Sequence, residues 1–565
     1  MSRVKFHWKS LCLSMLFLLN LVLMPLKPYL TEVSPIEPEN KYRPSYLTAV
    51  NTSEEQTQAC WMSQMYNAST MTLDTLYFVD SLRIVEVMRT VAPNEICSDE
   101  AELANIVDAV RGIIFFTPAF KQSLTVRWGC GGATPTPHQH FPPQVWLLTL
   151  GSIPVSTSVA WVVPENEGTT VYYAYMPGIK SQAWRLTILC FRLVASVWIF
   201  HLSIAGYYNH VRHLRGNLDA FPLHGYTKAS RYEIVVGEPT CIVLANPWLC
   251  LWFLLDLVTN TEYIGMACLR VCQINNLVYF CLGMLYLGRT VWCGYTALAV
   301  LNILLKRRHK AHWVKPTNTT ILALAASLAG GGIMYIQTEW QEHLDMYFTL
   351  YVVHYVSDTH ETTTMETAPA MLVYALSMTM LPFAIAATQH VANFLLHHWK
   401  LCRAGRITSM LISSARHSLT RSMMVSPTMP EAPRHTHQSQ CEYNDVKHRV
   451  VLWLCGLTKL KPRGRHFTGG SIYSLFRAAP GYQAQCTLSQ RGGDCYILCY
   501  DSSDRLLECT RVTLVSQVDL AHQTQLLQQK TTSAAVGRVV LGLDRNHGST
   551  VMELFQGERN SPWIA

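Results

Sequence analysis

The sequence is poor in charged residues for its length. Asp, Glu, Lys and Arg make up 15% of the 565 residues, whereas soluble domains usually carry about 25%. Hydrophobic residues make up 49%, and they gather in blocks about as long as a membrane-spanning helix instead of in short periodic runs. This distribution argues against one large soluble core and predicts an integral membrane protein.

The sequence also lacks the motifs that carry much of enzyme chemistry. It contains no H-E-x-x-H zinc motif, no G-x-S-x-G nucleophile elbow and no G-x-x-x-x-G-K-[ST] phosphate loop. The last six cysteines form no C-x-x-C pair, and Cys495 and Cys499 share one face of a predicted strand, which favours buried thiols over a zinc site. We therefore expect no enzyme activity, no metal and no cofactor.

The apolar blocks predict the fold class of a membrane protein. We expect an α-helical transmembrane bundle of about six spans, an α+β extracytoplasmic domain and a small β-rich cytosolic C-terminal domain. The predicted division of the chain is a cytosolic N-terminus at 1–9, a signal anchor or signal peptide at 10–26, the extracytoplasmic domain at 27–183, spans at 184–208, 241–259, 276–305, 319–337 and 369–397, a basic juxtamembrane helix and linker at 398–440, and the cytosolic domain at 441–565. Cleavage of the first block stays open, because no clear small-x-small site follows it.

Basic residues are distributed unevenly among the loops, and this predicts the orientation. Lys and Arg cluster after the second, fourth and sixth blocks, whereas residues 338–368 contain neither and carry six acidic residues. Residues 27–183 contain nine Lys and Arg against fifteen Asp and Glu, and residues 398–565 contain twenty against eleven. Both termini of a multi-pass protein are therefore predicted in the cytosol, with the plasma membrane and the endomembranes both open.

The predicted extracytoplasmic domain begins with helices and continues with strands. Helices are predicted at Met71–Val91 and Ser98–Phe116. The apolar run Val145–Val163 is interpreted as strands instead of a span, because Pro154 interrupts it and its residues alternate with period two. Helices followed by strands predict an α+β domain.

Two sequons and three cysteines lie in the same predicted compartment. Asn51 and Asn67 each begin an N-x-[ST] sequence and are candidate glycosylation sites. Cys60, Cys97 and Cys130 allow at most one disulfide among themselves and leave one thiol over. Whether that disulfide forms stays open.

Four polar residues inside the apolar blocks are the candidate functional residues. Arg192, His201, Asp256 and Arg289 lie at predicted bilayer depth, where ionisable groups are costly and therefore often functional. The structural alternative is that the arginines pair with Asp256 inside the bundle or extend towards the interface. The run Gly330–Gly332 predicts either close helix packing, which is favoured, or an unwound substrate site.

The C-terminal segment is predicted to meet lipid and protein. Basic residues of an amphipathic segment are candidates for contact with anionic lipid, and they are Arg403, Arg406, Arg416 and Arg421. Strand candidates such as Tyr496–Tyr500 and Gly537–Leu543, with a polar turn at Asp501–Asp504, predict a small domain that binds a protein partner. The basic stretch Lys459–Arg465 has no aromatic-rich surface beside it, so nucleic acid is not expected as a partner.

The sequence is compatible with two functions from different classes. A membrane-anchored binding, sensing or scaffold protein is favoured, because long segments of folded type flank the membrane on both sides. A transporter or channel that uses Arg192, Asp256 and Arg289 is the alternative.

Overall fold

The structure is a computed structural model. It describes residues 3–36, 52–67, 69–71, 76–93, 120–121, 124, 143–165, 168–223, 229–244, 246–273, 276–308, 319–336, 346, 350, 355–358, 362–403, 453–456, 495–514, 527–531, 536–543, 550–558 and 562–564. Several sequence predictions lie outside these residues, namely those for Asn51, Cys97, Cys130, Ser98–Phe116, Arg406, Arg416 and Arg421.

Eleven α-helices are present among the described residues. They are α1 Trp8–Val22, α2 Thr52–Met65, α3 Gln182–Ser203, α4 Asn209–Ala220, α5 Thr240–Leu244, α6 Pro247–Thr259, α7 Glu262–Val271, α8 Leu277–Leu287, α9 Val291–Arg307, α10 Thr319–Ile336 and α11 Ala368–Arg403. Three short helical segments of other types extend or join them: the 3₁₀ helices Met24–Leu30 and Gly288–Thr290 and the π-helix Ile204–Tyr208.

Fifteen β-strands are present in the same part of the chain. They are β1 Val4–Phe6, β2 Tyr77–Asp80, β3 Val85–Pro93, β4 Gln144–Leu150, β5 Ile153–Glu165, β6 Gly168–Pro177, β7 Arg231–Val235, β8 Tyr355–Asp358, β9 Thr362–Glu366, β10 Cys495–Tyr500, β11 Leu506–Leu514, β12 Leu527–Thr531, β13 Arg538–Leu543, β14 Thr550–Gln556 and β15 Trp563–Ile564. The fold is therefore mixed α/β, with apolar helices and three sheets.

Among the described residues, three helices are long and apolar enough to cross a membrane. They are Gln182–Ala220, Leu277–Leu305 and Ala368–Ile385, and the pair Trp8–Val22 and Met24–Leu30, bent by 63°, makes a fourth if it counts as one span. The six predicted spans are thus not all present as long helices. A membrane protein remains compatible with three such helices.

The predicted span at 241–259 is broken at a proline. Pro247 has no N–H to donate to the preceding turn, so α5 ends and α6 begins there. The Asn246 side chain accepts hydrogen bonds from the N–H groups of Trp248 and Leu249 and caps the new helix. The predicted span at 319–337 coincides with α10, Thr319–Ile336, although only its part Ile321–Gly332 counts as an apolar helix and that part is shorter than a span.

Helix α3 buries charged and polar side chains and exposes large apolar ones. Arg192 and Ser196 are buried, whereas Leu193, Val197 and Phe200 expose 45%, 69% and 49% of their surface. Soluble proteins show the reverse arrangement, in which charged side chains face water and large apolar ones face the core. An apolar outer surface with buried ionisable groups is what contact with lipid requires.

The largest sheet has seven strands in the order β2-β3-β6-β5-β4-β9-β8. Adjacent strands are antiparallel except β4 and β9, which pair in parallel. Strands β4 and β5 confirm the interpretation of Val145–Val163 as strands. Apolar clusters lie on both faces of the sheet, and one of them continues into α7, α8 and α11.

The helix predicted at Met71–Val91 is wrong, because the described residues 76–93 form a β-hairpin. Asp80 ends β2, and its Oδ1 accepts the N–H groups of Leu82 and Arg83, each at 3.0 Å. Ile84 closes the turn with a φ of 55°, a value that a helix excludes. In β3, buried Val85 and Val87 then face one cluster and Met88 the other, with the period of two that defines a strand.

The second sheet has five strands in the order β1-β7-β10-β11-β15. Strand β10 and the turn Asp501–Asp504 agree with the sequence prediction, since Asp501 donates its N–H to the Arg505 carbonyl. Two of the five strands come from residues 4–6 and 231–235, far from the C-terminal segment. The C-terminal segment therefore does not complete this sheet without earlier parts of the chain. Strands β12, β14 and β13 form a third, three-stranded sheet.

Candidate functional site: a buried ion cluster

Four charged side chains from four separate helical segments meet inside the bundle. Glu32 follows the 3₁₀ helix Met24–Leu30, Arg192 lies in α3 and Asp256 lies near the end of α6. Arg289 lies in the 3₁₀ turn that joins α8 to α9. We call these four residues the ion cluster.

The residues that neighbour each member of the ion cluster in the sequence determine where its side chain lies. Pro25 and Pro28 belong to the 3₁₀ segment that bends away from α1, so Glu32 turns back towards the other helices. In α3, Arg192 belongs to a buried stripe with Ile188, Ala195 and Ile199, whose spacing of three and four residues defines one helix face. The apolar sequence around each charge leaves the neighbouring charges as its available partners.

Arg192 bridges the two carboxylates of the ion cluster. Its Nε donates to Asp256 Oδ1 at 2.8 Å, and its Nη1 and Nη2 donate to Glu32 Oε2 and Oε1 at 2.5 and 3.0 Å. The second contact is bidentate, which is the geometry that a guanidinium group favours. Its guanidinium carbon also lies 4.5 Å from the centre of the Tyr29 ring.

Arg289 makes the second bridge between the same two carboxylates. Its Nη1 donates to Glu32 Oε1 at 3.1 Å, and its Nη2 donates to Asp256 Oδ2 at 2.5 Å. The hydroxyl group of Tyr286, one turn earlier in α8, donates to Glu32 Oε1 at 2.9 Å. Both carboxylates therefore have both oxygens in hydrogen bonds to arginine.

The ion cluster is buried and electrically balanced. The exposed fraction of the side chain is 1% for Arg192, 3% for Glu32 and Asp256 and 12% for Arg289. Two positive and two negative charges cancel, which reduces the cost of holding each charge in an apolar environment. Asn260 extends the cluster, since its Nδ2 donates to the Asp256 carbonyl at 2.8 Å.

A small cavity lies beside the ion cluster and has a volume of about 20 Å³. Its lining includes Glu32, Tyr29, Asn260, Glu262 and Lys180. That volume holds about one water molecule.

Three of the four residues singled out from the sequence meet in this cluster, and His201 does not. His201 is exposed on the outer, apolar side of α3. The sequence prediction does not include Glu32, because this residue lies outside the apolar blocks in which an ionisable group is unusual. A signal was present in the sequence, since Glu32 follows the apolar block 10–26 by only a few residues and lies beyond Pro25 and Pro28.

Gly330 and Gly331 pack closely against other helices, whereas a Cβ at Gly332 would meet no atom within 4 Å, and the run is not an unwound site. Helix α10 continues through all three glycines. A Cβ added at Gly330 would lie 2.9 Å from Tyr374 Oη, and one added at Gly331 would overlap the Met284 side chain. The predicted close packing is therefore confirmed.

A second buried ion pair connects the seven-stranded sheet to α7. Arg270 Nε and Nη2 lie 2.7 and 2.6 Å from Glu86 Oε1, and the Tyr77 hydroxyl donates to Glu86 Oε2 at 2.5 Å. Burial raises the pKa of the Glu86 carboxyl above its usual range, and the charge of Arg270 opposes that shift. The Tyr175 hydroxyl of β6 donates to the Glu262 carbonyl at 2.8 Å, so the sheet is bonded to both ends of α7.

Among the described residues, no three His, Cys, Asp or Glu side chains lie close enough together to hold a metal ion. Cys495 and Cys499 are both buried in the core of the five-stranded sheet, on the face that also holds Tyr232 and Trp563. The thiol of Cys495 lies 3.2 Å from the Tyr207 hydroxyl.

Comparison of the chain with protein-family models, with curated proteins and with solved structures gave no significant match.

Proposed function

We propose that this chain is a multi-pass membrane protein that acts as a membrane-anchored binding or scaffold protein, with the ion cluster as an internal clamp. The observation that carries the proposal is that the carboxylates of the ion cluster have no oxygen left without an arginine partner. Both oxygens of Glu32 and of Asp256 are bonded to arginine. A transported ion or substrate needs free ligands and a path, whereas a clamp needs saturated partners, as here.

The pairing of the strands supports a topology of six crossings. Strands that pair in one sheet must lie in the same compartment, so β1, β7, β10, β11 and β15 lie together, and the seven strands of the largest sheet lie together. The helix Gln182–Ala220 joins the two groups, and its 39 residues correspond to about 58 Å at 1.5 Å per residue. That length exceeds the ~30 Å hydrocarbon core of a bilayer. The two sheets are thus proposed on opposite sides.

Any two strands that lie on opposite sides of the membrane must then be separated by an odd number of crossings. Among the described residues from β7 to β8, the broken helix α5–α6, the helix Leu277–Leu305 and α10 are the apolar helices that we propose as three crossings. Two crossings would return β8 to the compartment of β7, so the short helix α6 is needed as a span. One crossing each before β2, before β7 and before β10 brings the total to six, with both termini on the side where basic loops predict the cytosol.

The proposed binding surfaces are the seven-stranded sheet on one side and the five- and three-stranded sheets on the other, because the charged residues of the ion cluster are paired with one another. The seven-stranded sheet would face the extracytoplasmic side, and Asn67, a candidate glycosylation site, lies beside it at the end of α2. The five- and three-stranded sheets would meet a protein partner in the cytosol. Anionic lipid beside Arg403, which ends α11, is part of the same proposal.

A transporter or channel is the second candidate, and the observation that favours it is the presence of the buried ionisable residues Arg192, Asp256 and Arg289 inside the helix bundle. Flux assays in liposomes distinguish the two functions. We expect the purified protein to give no flux of protons, Na⁺, K⁺ or Cl⁻ above empty liposomes, and Asp256→Asn and Arg289→Gln to lower thermal stability in detergent. His201→Ala, an exposed position on α3, is the matched control. Wild-type flux that is lost in both cluster variants would replace the binding role with transport.

The proposed sidedness has its own test at the exposed thiol of Cys60 in α2. A membrane-impermeant maleimide should label Cys60 in sealed cells or in vesicles with the extracytoplasmic side outward. A C-terminal epitope tag should be reached by antibody only after permeabilisation. Cys60→Ser serves as the labelling control. Labelling of Cys60 only after permeabilisation, or a tag that is accessible without it, contradicts the topology.

A further inference from the structure

The N-terminal segment is bound into the five-stranded sheet by strand pairing. Val4, Lys5 and Phe6 pair in parallel with Tyr232, Glu233 and Ile234 of β7. The Arg3 carbonyl accepts the Tyr232 N–H at 2.9 Å, and the His7 N–H donates to the Ile234 carbonyl at 2.9 Å. Strand β1 thereby covers the edge of β7 that β10 leaves open.

Side chains of this segment are part of the same core. Val4 is 1% exposed and belongs to the apolar cluster of Ile234, Cys495 and Cys499. The Arg3 side chain donates to the Ala229 carbonyl at 2.7 Å. Without residues 3–7, this cluster loses an apolar side chain and one edge of its sheet.

Helix α1 continues the attachment through its polar side. Ser10 and Ser14 are buried at 0% and 1% exposure. Ser10 Oγ accepts the Val236 N–H at 3.1 Å, and Ser14 Oγ donates to the Gly237 carbonyl at 2.6 Å. The Tyr208 hydroxyl, from the π-helix, donates to the Ser14 carbonyl at 3.0 Å. A secretory signal sequence needs a basic start, an apolar core and a small-residue cleavage site. None of these requires buried serines with fixed hydrogen-bond partners, so Ser10 and Ser14 indicate a further role.

The region where a signal sequence would be cut is itself structured and connected to the bundle. Residues Met24–Leu30 form a 3₁₀ helix with Pro25 and Pro28 buried. Two residues further on, Glu32 enters the ion cluster. A cut within 24–31 would separate the segment that holds Glu32 from the helix that positions it.

We propose that the first apolar segment is a permanent docking element and not a removable signal sequence: residues 3–14 bind the surface formed by β7, residues 236–237 and Tyr208, and the chain is not cut after α1. The C-terminal strands then add to a sheet edge that residues of the N-terminal half supply. This inference concerns processing and assembly, and it holds whether the protein binds partners or transports a solute.

The first test is direct detection of the junction in the mature protein. Full-length protein with an N-terminal and a C-terminal epitope tag should give one species that carries both tags, and mass spectrometry should recover peptides that span residues 20–36. A mature N-terminus anywhere between residues 20 and 37 overturns the proposal.

The second test measures docking through the native thiols of Cys495 and Cys499, which are both 0% exposed. We expect Val4→Asp and Ser10→Val to raise their maleimide labelling rates at least tenfold in the native protein. Ser10→Val makes the segment more apolar and so preserves membrane insertion, yet it leaves the Val236 N–H without its acceptor. Lys5→Ala, an exposed position on the same strand, is the control. Unchanged labelling in both test variants contradicts the docking role.

Discussion

The ion cluster and the Glu86–Arg270 pair are both buried, but they differ in how completely their charges are matched. In the ion cluster two arginines share two carboxylates, and both oxygens of each carboxylate are bonded to arginine. In the pair, Arg270 holds one oxygen of Glu86 and Tyr77 holds the other. Arg270 Nη1 is buried and has no hydrogen-bond partner among the described residues.

This difference indicates how much the ion cluster and the Glu86–Arg270 pair each contribute to holding the fold together. The ion cluster joins four helical segments at one point, so the loss of one member affects all of them. The pair joins one strand to one helix, and its incomplete match makes it the weaker link. We therefore expect the bundle to be held more firmly at its centre than the sheet is held to the bundle.

Removal of Arg192 should have the largest effect. Arg192→Met leaves both Glu32 and Asp256 buried with only Arg289 as a cation, and one broken buried ion pair already costs about 3–5 kcal/mol. We expect a loss at or above about 5 kcal/mol, measured by unfolding in detergent. His201→Ala should stay within the error of wild type. Equal stability of the two variants would mean that the cluster does not hold the helices.

Removal of Arg270 should have the second largest effect. Arg270→Met leaves Glu86 buried with the Tyr77 hydroxyl as its remaining partner, at a cost of about 3 kcal/mol. The loss should appear as faster proteolysis of the seven-stranded sheet, with the helices still resistant. Arg83→Met, in the turn of the β2–β3 hairpin, is the comparison and should cost less, because the Arg83 side chain is 34% exposed and solvent screens its pair with Asp80. Simultaneous loss of sheet and helices would contradict the separation of the two regions.

Two carboxylates of the seven-stranded sheet should give pH dependences of opposite sign. Burial raises the pKa of Glu86, so its folded state binds the proton more tightly and its contribution to stability falls as pH rises above the unfolded value. Burial also opposes ionisation of Asp80, but hydrogen bonds from Arg83 and Tyr66 outweigh it and lower that pKa. The contribution of Asp80 is present above its unfolded pKa and is lost as pH falls.

Stability measured between pH 3 and pH 7 checks these signs. Relative to wild type, Glu86→Gln should make stability rise more steeply with pH, and Asp80→Asn should make it rise less steeply. Shifts of the same sign in both variants would show that one of the two local environments differs from this structure.

Loss of the Lys180–Glu262 contact should have the smallest effect. Lys180 Nζ lies 3.1 Å from Glu262 Oε1, but the lysine side chain is 35% exposed. Solvent screens such a pair, so Lys180→Ala should cost less than about 1 kcal/mol, and added salt should reduce the difference. A cost near that of Arg270→Met would place this contact among the main links between sheet and bundle.

Sequence reasoning found most members of the ion cluster and missed their common partner. Arg192, Asp256 and Arg289 were recognisable one at a time, because an ionisable residue in an apolar block is unusual wherever it occurs. Glu32 lies 160 residues before Arg192 and 257 before Arg289. Nothing in a loop residue indicates which distant side chains it will meet.

The sheets show the same division between local and distant pairing. Strands β4 and β5 were predicted, because the period of two lies within one short run. The hairpin at residues 77–93 was mistaken for a helix, because the turn at Asp80–Ile84 was not recognised. The pairing of β1 with β7 was not predicted, since a three-residue strand carries no detectable period.

The sequence by itself determined that the protein contains long apolar segments with isolated charges, and this is because the transfer of a segment into lipid depends on that segment's own residues. Basic residues beside each segment predicted its orientation for the same local reason. Only the tertiary structure decided that the charges of the ion cluster neutralise one another and that the N-terminal strand β1 pairs with the five-stranded sheet. Those outcomes depend on the geometry of side chains hundreds of residues apart, and burial of a charge is tolerable only where that geometry supplies a partner.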